Sequence, residues 1–206
     1  LKNKLLDSVN RIIAEKRWAK LIPEFHHPDL QQNLFTEHPN LALKIAYKSI
    51  EITDPHHLIP IKNVNLMSVF AILQKSEDMD AASRFMKMLA DAAEFDCDFA
   101  YLDKNINDEI INEILTQTAN ADLIIFPIFF KSRAYNNSTN FPENLNNFIH
   151  LASEGKNSIA ILFGNPYIKD EFYADSKVLA YSDSYSSMAA VVMKLTGRDI
   201  DWMTNE

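Results

Sequence analysis

From residue 64 onward, short apolar runs take turns with longer stretches of helical period, and this alternation constrains the fold more than any other feature of the chain. The runs "VNLMSVFAIL" (64 to 73), "DCDFAYLD" (96 to 103), "DLIIFPIFF" (122 to 130), "NSIAILFG" (157 to 164) and "KVLAYS" (177 to 182) have the length and apolar density of strands. Between them the spacing predicts helices near 78 to 94, 107 to 118 and 142 to 154, with a last one near 184 to 196. Phe85, Leu89 and Ala92 line one face of the first, Ile110, Ile111 and Ile114 one face of the second, and Met188, Val191, Val192 and Leu195 one face of the last. Strands joined through crossover helices run parallel. The near-continuous apolar character of 122 to 130 suits a strand covered on both faces. The expected class is therefore α/β, a three-layer α/β/α sandwich with a mostly parallel sheet.

Upstream the pattern differs. Residues 2 to 18 place Leu5, Val9, Ile12 and Ile13 at helical spacing with Lys and Arg opposite, which predicts an amphipathic helix. From Pro23 to Asn40 the chain is rich in Pro, Asn and His and keeps no steady period, so it reads as a linker. A second helix is expected over 40 to 52. The chain opens on Leu1 and enters a helical pattern at once, as a piece of a longer protein would.

With 206 residues, 47% of them hydrophobic, the chain can bury a full core. Its net charge of −8, with basic residues scattered and no run longer than Lys16-Arg17, disfavours a surface that follows a phosphate backbone, so no nucleic-acid partner is expected. Cys97 stands alone, which rules out an intrachain disulfide and a cysteine-rich zinc site. No apolar stretch approaches the ~20 residues that span a bilayer, and the N-terminus lacks the order of a signal peptide. The chain is expected to be soluble, with no membrane partner, and a periplasmic or secreted parent is compatible with that.

In open α/β sheets, ligands sit beyond the carboxyl ends of the strands, which here are the loops after residues 103, 130, 164 and 182. "GNPYIKDEF" holds one of only three glycines. Gly164 would turn the chain sharply after its strand, and Pro166 would fix the next φ. No G-x-G-x-x-G or G-x-x-x-x-G-K-[ST] occurs, so no nucleotide cofactor is expected. "KSRAYNNSTN" (131 to 140) carries Lys131, Arg133 and Tyr135, donors suited to sugar hydroxyls or a carboxylate and equally at home in an exposed polar loop. The pairs His26-His27 and His56-His57 lie near Asp29 and Asp54, but neither has the i, i+4 spacing of two ligands on one helix face, so no metal is expected. Cys97 inside a strand reads as a buried, inert thiol. No G-x-S-x-G elbow surrounds a serine. Asp103, at the end of a strand, could act as acid or base, yet glycosidic cleavage needs two carboxylates and no partner is visible. Helix capping or solvation explains it equally, and no catalytic residue is assigned.

Several stretches, in this order, resemble the C-terminal half of the family-3 glycoside hydrolases, the group that contains bacterial β-N-acetylglucosaminidases and β-glucosidases. "LLDSVNRIIAEKRWAKL" (5 to 21) is similar to the helix that closes that family's barrel, and "ALKIAYKSIEI" through "HLIPIKN" (42 to 63) to its crossing into the second domain. "ADLIIFPIF" (121 to 129), "ILFGNPYIKDEF" (161 to 172) and "LAYSDSYSSMAAVVMKLTG" (179 to 197) resemble later strands and the final helix of that domain. Gly-Asn-Pro-Tyr followed by Ala-Tyr-Ser looks most like the acetylglucosaminidase branch.

The resemblance implies a parent enzyme with a (β/α)8 barrel followed by an α/β sandwich. It divides this chain into 1–22, the last helix of a barrel otherwise missing; 23–63, a linker and crossing segment; and 64–206, the sandwich domain. In that family the nucleophilic aspartate and the His-Asp acid/base pair belong to the barrel, and no Lys-His-Phe-Pro-Gly stretch occurs here, so none is carried over. The partners implied are the parent's catalytic barrel and, through it, a carbohydrate substrate. Arg133, Asn165 and Tyr167 are the candidates for contact with bound sugar, with Tyr167 also a candidate for the barrel interface. The alternative is a carbohydrate-binding or subunit-contact module with no catalytic part. An orphaned barrel helix would expose Leu5, Val9 and Ile12, so the isolated chain is expected to self-associate. Light scattering that finds a strict monomer at high concentration contradicts this.

Overall fold

A computed structural model describes residues 2–19, 40–93, 96–131 and 141–198. The chain falls into two units, Leu1–His38 and Pro39–Glu206. Helix α1 (Lys2–Trp18) is the described part of the first. Along it Leu5, Leu6, Val9 and Ile12 are exposed, Leu5 to 66%.

The second unit is built on a six-stranded sheet. Its strands are β1 (Glu51–Thr53), β2 (Leu66–Leu73), β3 (Asp96–Leu102), β4 (Leu123–Phe129), β5 (Asn157–Leu162) and β6 (Ser176–Leu179), in the order β1-β6-β5-β4-β2-β3. Every neighbouring pair is parallel except β1 with β6. The helices are α2 (40–49), α3 (Met79–Ala92), α4 (Asp108–Gln117), α5 (Glu143–Ser153) and α6 (Tyr185–Thr196). On one face, Phe85 and Leu89 of α3 and Val191 and Leu195 of α6 pack with Val69, Ile125 and Ile161 of the sheet. On the other, Ile111 and Ile114 of α4 and Phe148 and Ile149 of α5 pack with Phe70, Phe126 and Leu162. This is the three-layer sandwich that the alternation predicted. Ile110 departs from its expected face and is exposed, because a step of one residue turns about 100° around a helix and Ile111 and Ile114 hold the inward side.

β4 is buried along its whole length although it contains Pro127, a residue with no N–H for the ladder. On the β5 side Pro127 pairs with Ile161. On the β2 side the pairing runs from Met67–Leu123 to Val69–Ile125, lapses, and resumes at Ile72–Ile128 in the same register. The gap lies where the donor is missing. Phe126, next to it, is fully buried against Phe70 and Phe148, and this apolar packing holds the strand in place.

The second helix ends at 49, short of the expected 52. Ile52 and Thr53 are β-branched and favour extended backbone, and the segment pairs antiparallel with Lys177, Val178 and Leu179, covering what would otherwise be the open edge of β6. α2 buries Leu43 and Ala46 against Ala189, Ala190 and Met193 of α6. At the exit of β1 the Asp54 carboxylate accepts hydrogen bonds from the N–H groups of Leu58 and Ile59, both at 2.9 Å, and from the Ser176 hydroxyl at 2.5 Å. Burial pushes its pKa up, but the bonds from Ser176, Ile59 and Leu58 outweigh that and hold it below the usual carboxylate range. A depressed folded pKa stabilises the protein above the unfolded value and loses that contribution as pH falls through the folded one. Asp54→Asn is therefore expected to cost about 1.5 kcal/mol at neutral pH. Urea titrations at neutral and acid pH check this: the gap between variant and wild type should close in acid, and a gap independent of pH refutes it.

Candidate functional site

The sheet order sets where a ligand can enter. After β2 the chain passes to α3 on one face, and after β4, its neighbour, to α5 on the other. The connections part between their carboxyl ends and leave a crevice. Two clefts lie along this edge. The first, about 450 Å³, sits over the parting point, between the turns that follow β2 and β3. The second, about 380 Å³, is lined by Lys131, Gly164, Asn165, Tyr167, Tyr181 and Asp183, beyond β4, β5 and β6.

The second cleft answers why a chain poor in glycine keeps one at position 164. Gly164 has φ +133°, and a Cβ there would lie 2.6 Å from the Phe130 carbonyl oxygen. The close approach lets the Asn165 N–H donate to that same carbonyl at 2.8 Å. The Asn165 side-chain oxygen then accepts from the Tyr167 N–H at 3.0 Å and starts a single 3₁₀ turn, Pro166–Asp170, with proline at its first position. Tyr167 is thrown outward and is 87% exposed. Across the cleft Tyr181 holds a positive φ of 60°, unusual outside glycine, and its hydroxyl bonds the Glu51 carboxylate.

Of the three sugar-contact candidates, Asn165 and Tyr167 thus share one cleft, and Arg133 lies outside the described residues with the rest of its loop. Sequence reasoning missed the group beside them. Lys131 Nζ lies 2.5 Å from Asp183 Oδ2 and 3.4 Å from Asp78 Oδ1, the latter on a side chain only 1% exposed. The Lys131 N–H donates to the Gln74 side-chain oxygen at 3.1 Å. One lysine thereby ties the end of β4 to the exit of β2 and to the turn that leads into α6. Nothing local in the sequence announces a contact over such separations.

Asp103 closes a turn on itself, accepting from the Asn105 N–H at 2.8 Å and from its amide group at 3.1 Å. Among the described residues no group of three or more His, Cys, Asp and Glu could hold a metal, and no helix is long and apolar enough to cross a membrane. His26 and His27 lie outside the described residues. Cys97 is half-buried on β3, and burial, with the charges of Asp96 and Asp98, pushes its thiol up to about 11. At neutral pH its thiolate fraction should be about a hundredfold below that of an ordinary thiol. Its rate with an aromatic disulfide reagent should be correspondingly slow and should climb with pH; a rate equal to that of free cysteine would contradict this.

No family model matches the sequence, and no curated protein matches it. Solved structures do match the fold. A β-glucoside phosphorylase, BglX, aligns over 79% of this chain with a TM-score of 0.59 and 19% identity. A glycoside hydrolase family 3 β-N-acetylglucosaminidase from Paenibacillus sp. str. FPU-7 aligns over 76% with a TM-score of 0.57 and 17% identity. A β-glucosidase from Listeria innocua, solved in complex with isofagomine, aligns over 76% with a TM-score of 0.61 and 14% identity. The match covers 30%, 30% and 25% of those chains, so this chain spans under a third of the length of each. Its fold is that of one domain within such longer proteins.

Proposed function

We propose that this chain is the C-terminal α/β domain of a family-3 glycoside hydrolase acting on β-N-acetylglucosaminides, with the catalytic barrel supplied by a part of the parent that precedes the sandwich. The observation that carries the reading is the shared fold over three quarters of this chain and under a third of each larger protein. The choice of an N-acetylglucosaminide over a glucoside rests on the Gly-Asn-Pro-Tyr and Ala-Tyr-Ser stretches, both of which border the second cleft. In this reading the domain supports the barrel and edges its sugar site. Tyr167 would offer an exposed ring to a sugar face, and the Asn165 amide group, which has no partner among the described residues, would donate to a hydroxyl; Arg133 stays the third candidate for sugar contact. The exposed apolar stripe of α1 fits a helix that belongs to the barrel.

The test is hydrolysis of an aryl β-N-acetylglucosaminide and an aryl β-glucoside by this chain and by the full-length parent. Activity on the acetylglucosaminide in the parent alone is expected. Activity on the glucoside alone sinks the substrate assignment and keeps the domain assignment. Activity in the isolated chain overturns both. A second reading, a carbohydrate-binding module without a catalytic part, is favoured by the exposure of Tyr167 and predicts sugar binding with no barrel in the parent reading frame.

A further inference from the structure

The first cleft is separate from the Asn165–Tyr167 cleft and is built differently. We infer that the crevice over the carboxyl end of β2, bordered by the turns after β2 and β3 and by Phe130 after β4, is a second small-molecule site, one that takes a neutral polyhydroxylated ligand of monosaccharide size. The inference goes beyond the proposed function, since it needs neither a barrel nor an N-acetylglucosaminide.

Three features carry it. The first is position and size. The cleft sits where the connections of β2 and β4 part to opposite faces, and its volume of about 450 Å³ lies within the range of small-ligand sites. The second is chemistry. Its floor is apolar, made by Ile72, Phe130 and Leu145, and its rim carries Lys75, Glu77, Asp103 and Lys104. Ammonium donors and carboxylate acceptors therefore share the rim. That pattern matches a molecule whose hydroxyls each donate and accept and whose C–H faces are apolar. Lys75 and Lys104 have no ion-pair partner among the described residues, which leaves their donors available.

The third is preorganisation, which lowers the cost of ordering the site on binding. The Asn144 amide group donates to the carbonyls of Lys104 and Ile106 at 2.7 and 3.0 Å and pins the 103 to 106 turn to α5. The Asp103 carboxylate is oriented by its two bonds from Asn105. On the other side the Gln74 N–H donates to the Phe129 carbonyl and the Lys75 N–H to Asp78. Both walls of the crevice are therefore fixed before a ligand arrives.

NMR of the ¹⁵N-labelled chain, titrated separately with methyl β-D-glucoside, methyl N-acetyl-β-D-glucosaminide and sodium glucuronate, tests this. The expected result is saturable shifts of the Ser76, Asp103 and Asn105 amides with at least one glycoside, with glucuronate weaker. A Lys75→Ala/Asp103→Asn variant, which keeps an acceptor for the Asn105 N–H, should bind roughly tenfold more weakly. The absence of saturable shifts at these amides with either glycoside overturns the inference, as does glucuronate bound there as tightly. Shifts confined to Asn165, Tyr167 and Asp183 overturn it too, while supporting the sugar contact of the proposed function, so the two readings fail separately. The wild-type titration decides the matter should the variant not fold.

Discussion

Gly164→Ala is expected to lower the unfolding free energy by about 3 kcal/mol, through backbone strain and a clash that cannot relax. The new Cβ would lie 2.6 Å from a carbonyl oxygen of Phe130, at the end of a buried central strand, and a φ of +133° is closed to alanine even without the contact. Gly155 supplies the control. It too has a positive φ, +70°, but nothing lies within 4 Å of its Cβ position, so Gly155→Ala should cost only about 1 kcal/mol. Guanidinium titrations of the two variants should give midpoints well apart, and equal losses would show that the approach to Phe130 is unimportant. For a chain of this length the Gly164 variant should also melt roughly 6 to 12 °C earlier.

Lys131→Met is expected to cost about 2 kcal/mol, because it removes the ammonium group that the buried Asp78 and Asp183 share. Asp78→Asn in the same background should restore part of the loss, giving a coupling of at least about 1 kcal/mol in a double-mutant cycle. Strict additivity would mean that the bridge is incidental. The pH dependence supplies a second check. Burial pulls the lysine's pKa down, but the bond to Asp183 and the charges of Asp183 and Asp78 outweigh that and raise it above the ordinary value. A raised folded pKa stabilises the protein fully below the unfolded value and ceases to do so as pH rises through the folded one. The deficit of the variant should therefore be constant through neutral pH and vanish in strong alkali. The cleft that Lys131 lines should feel the substitution, while the bond from its backbone N–H to Gln74, which methionine keeps, should still hold the turn after β2.

The layers of the sandwich were legible because burial writes itself into the sequence at fixed periods: Phe85 and Leu89 at helical spacing, and 122 to 130 as a near-continuous apolar run. The cleft around Asn165 and Tyr167 was reachable through the rule that ligands sit beyond strand ends and through a glycine in a chain that has few. What escaped depends on partners distant in sequence. Three residues of β1 make too short a period to recognise, and only the free edge of β6 turns them into a strand. Asp54 reads as a surface carboxylate until Ser176 is folded against it, and Lys131 as one donor of a polar loop until Asp78 and Asp183 converge on it.

The antiparallel edge strand bears on how the molecule is assembled in time. Asp54 and the Ser176 hydroxyl it captures are 122 residues apart, with four parallel strands and their crossovers between them. During synthesis β1 emerges before the other strands of the sheet and must wait, unpaired, for β6, the last of those strands in chain order. Closing so long a loop is slow, and non-local pairing of this kind lowers folding rates. The short span and charged end of Glu51–Thr53 make the wait safe, since three residues with a carboxylate offer little to a neighbouring chain.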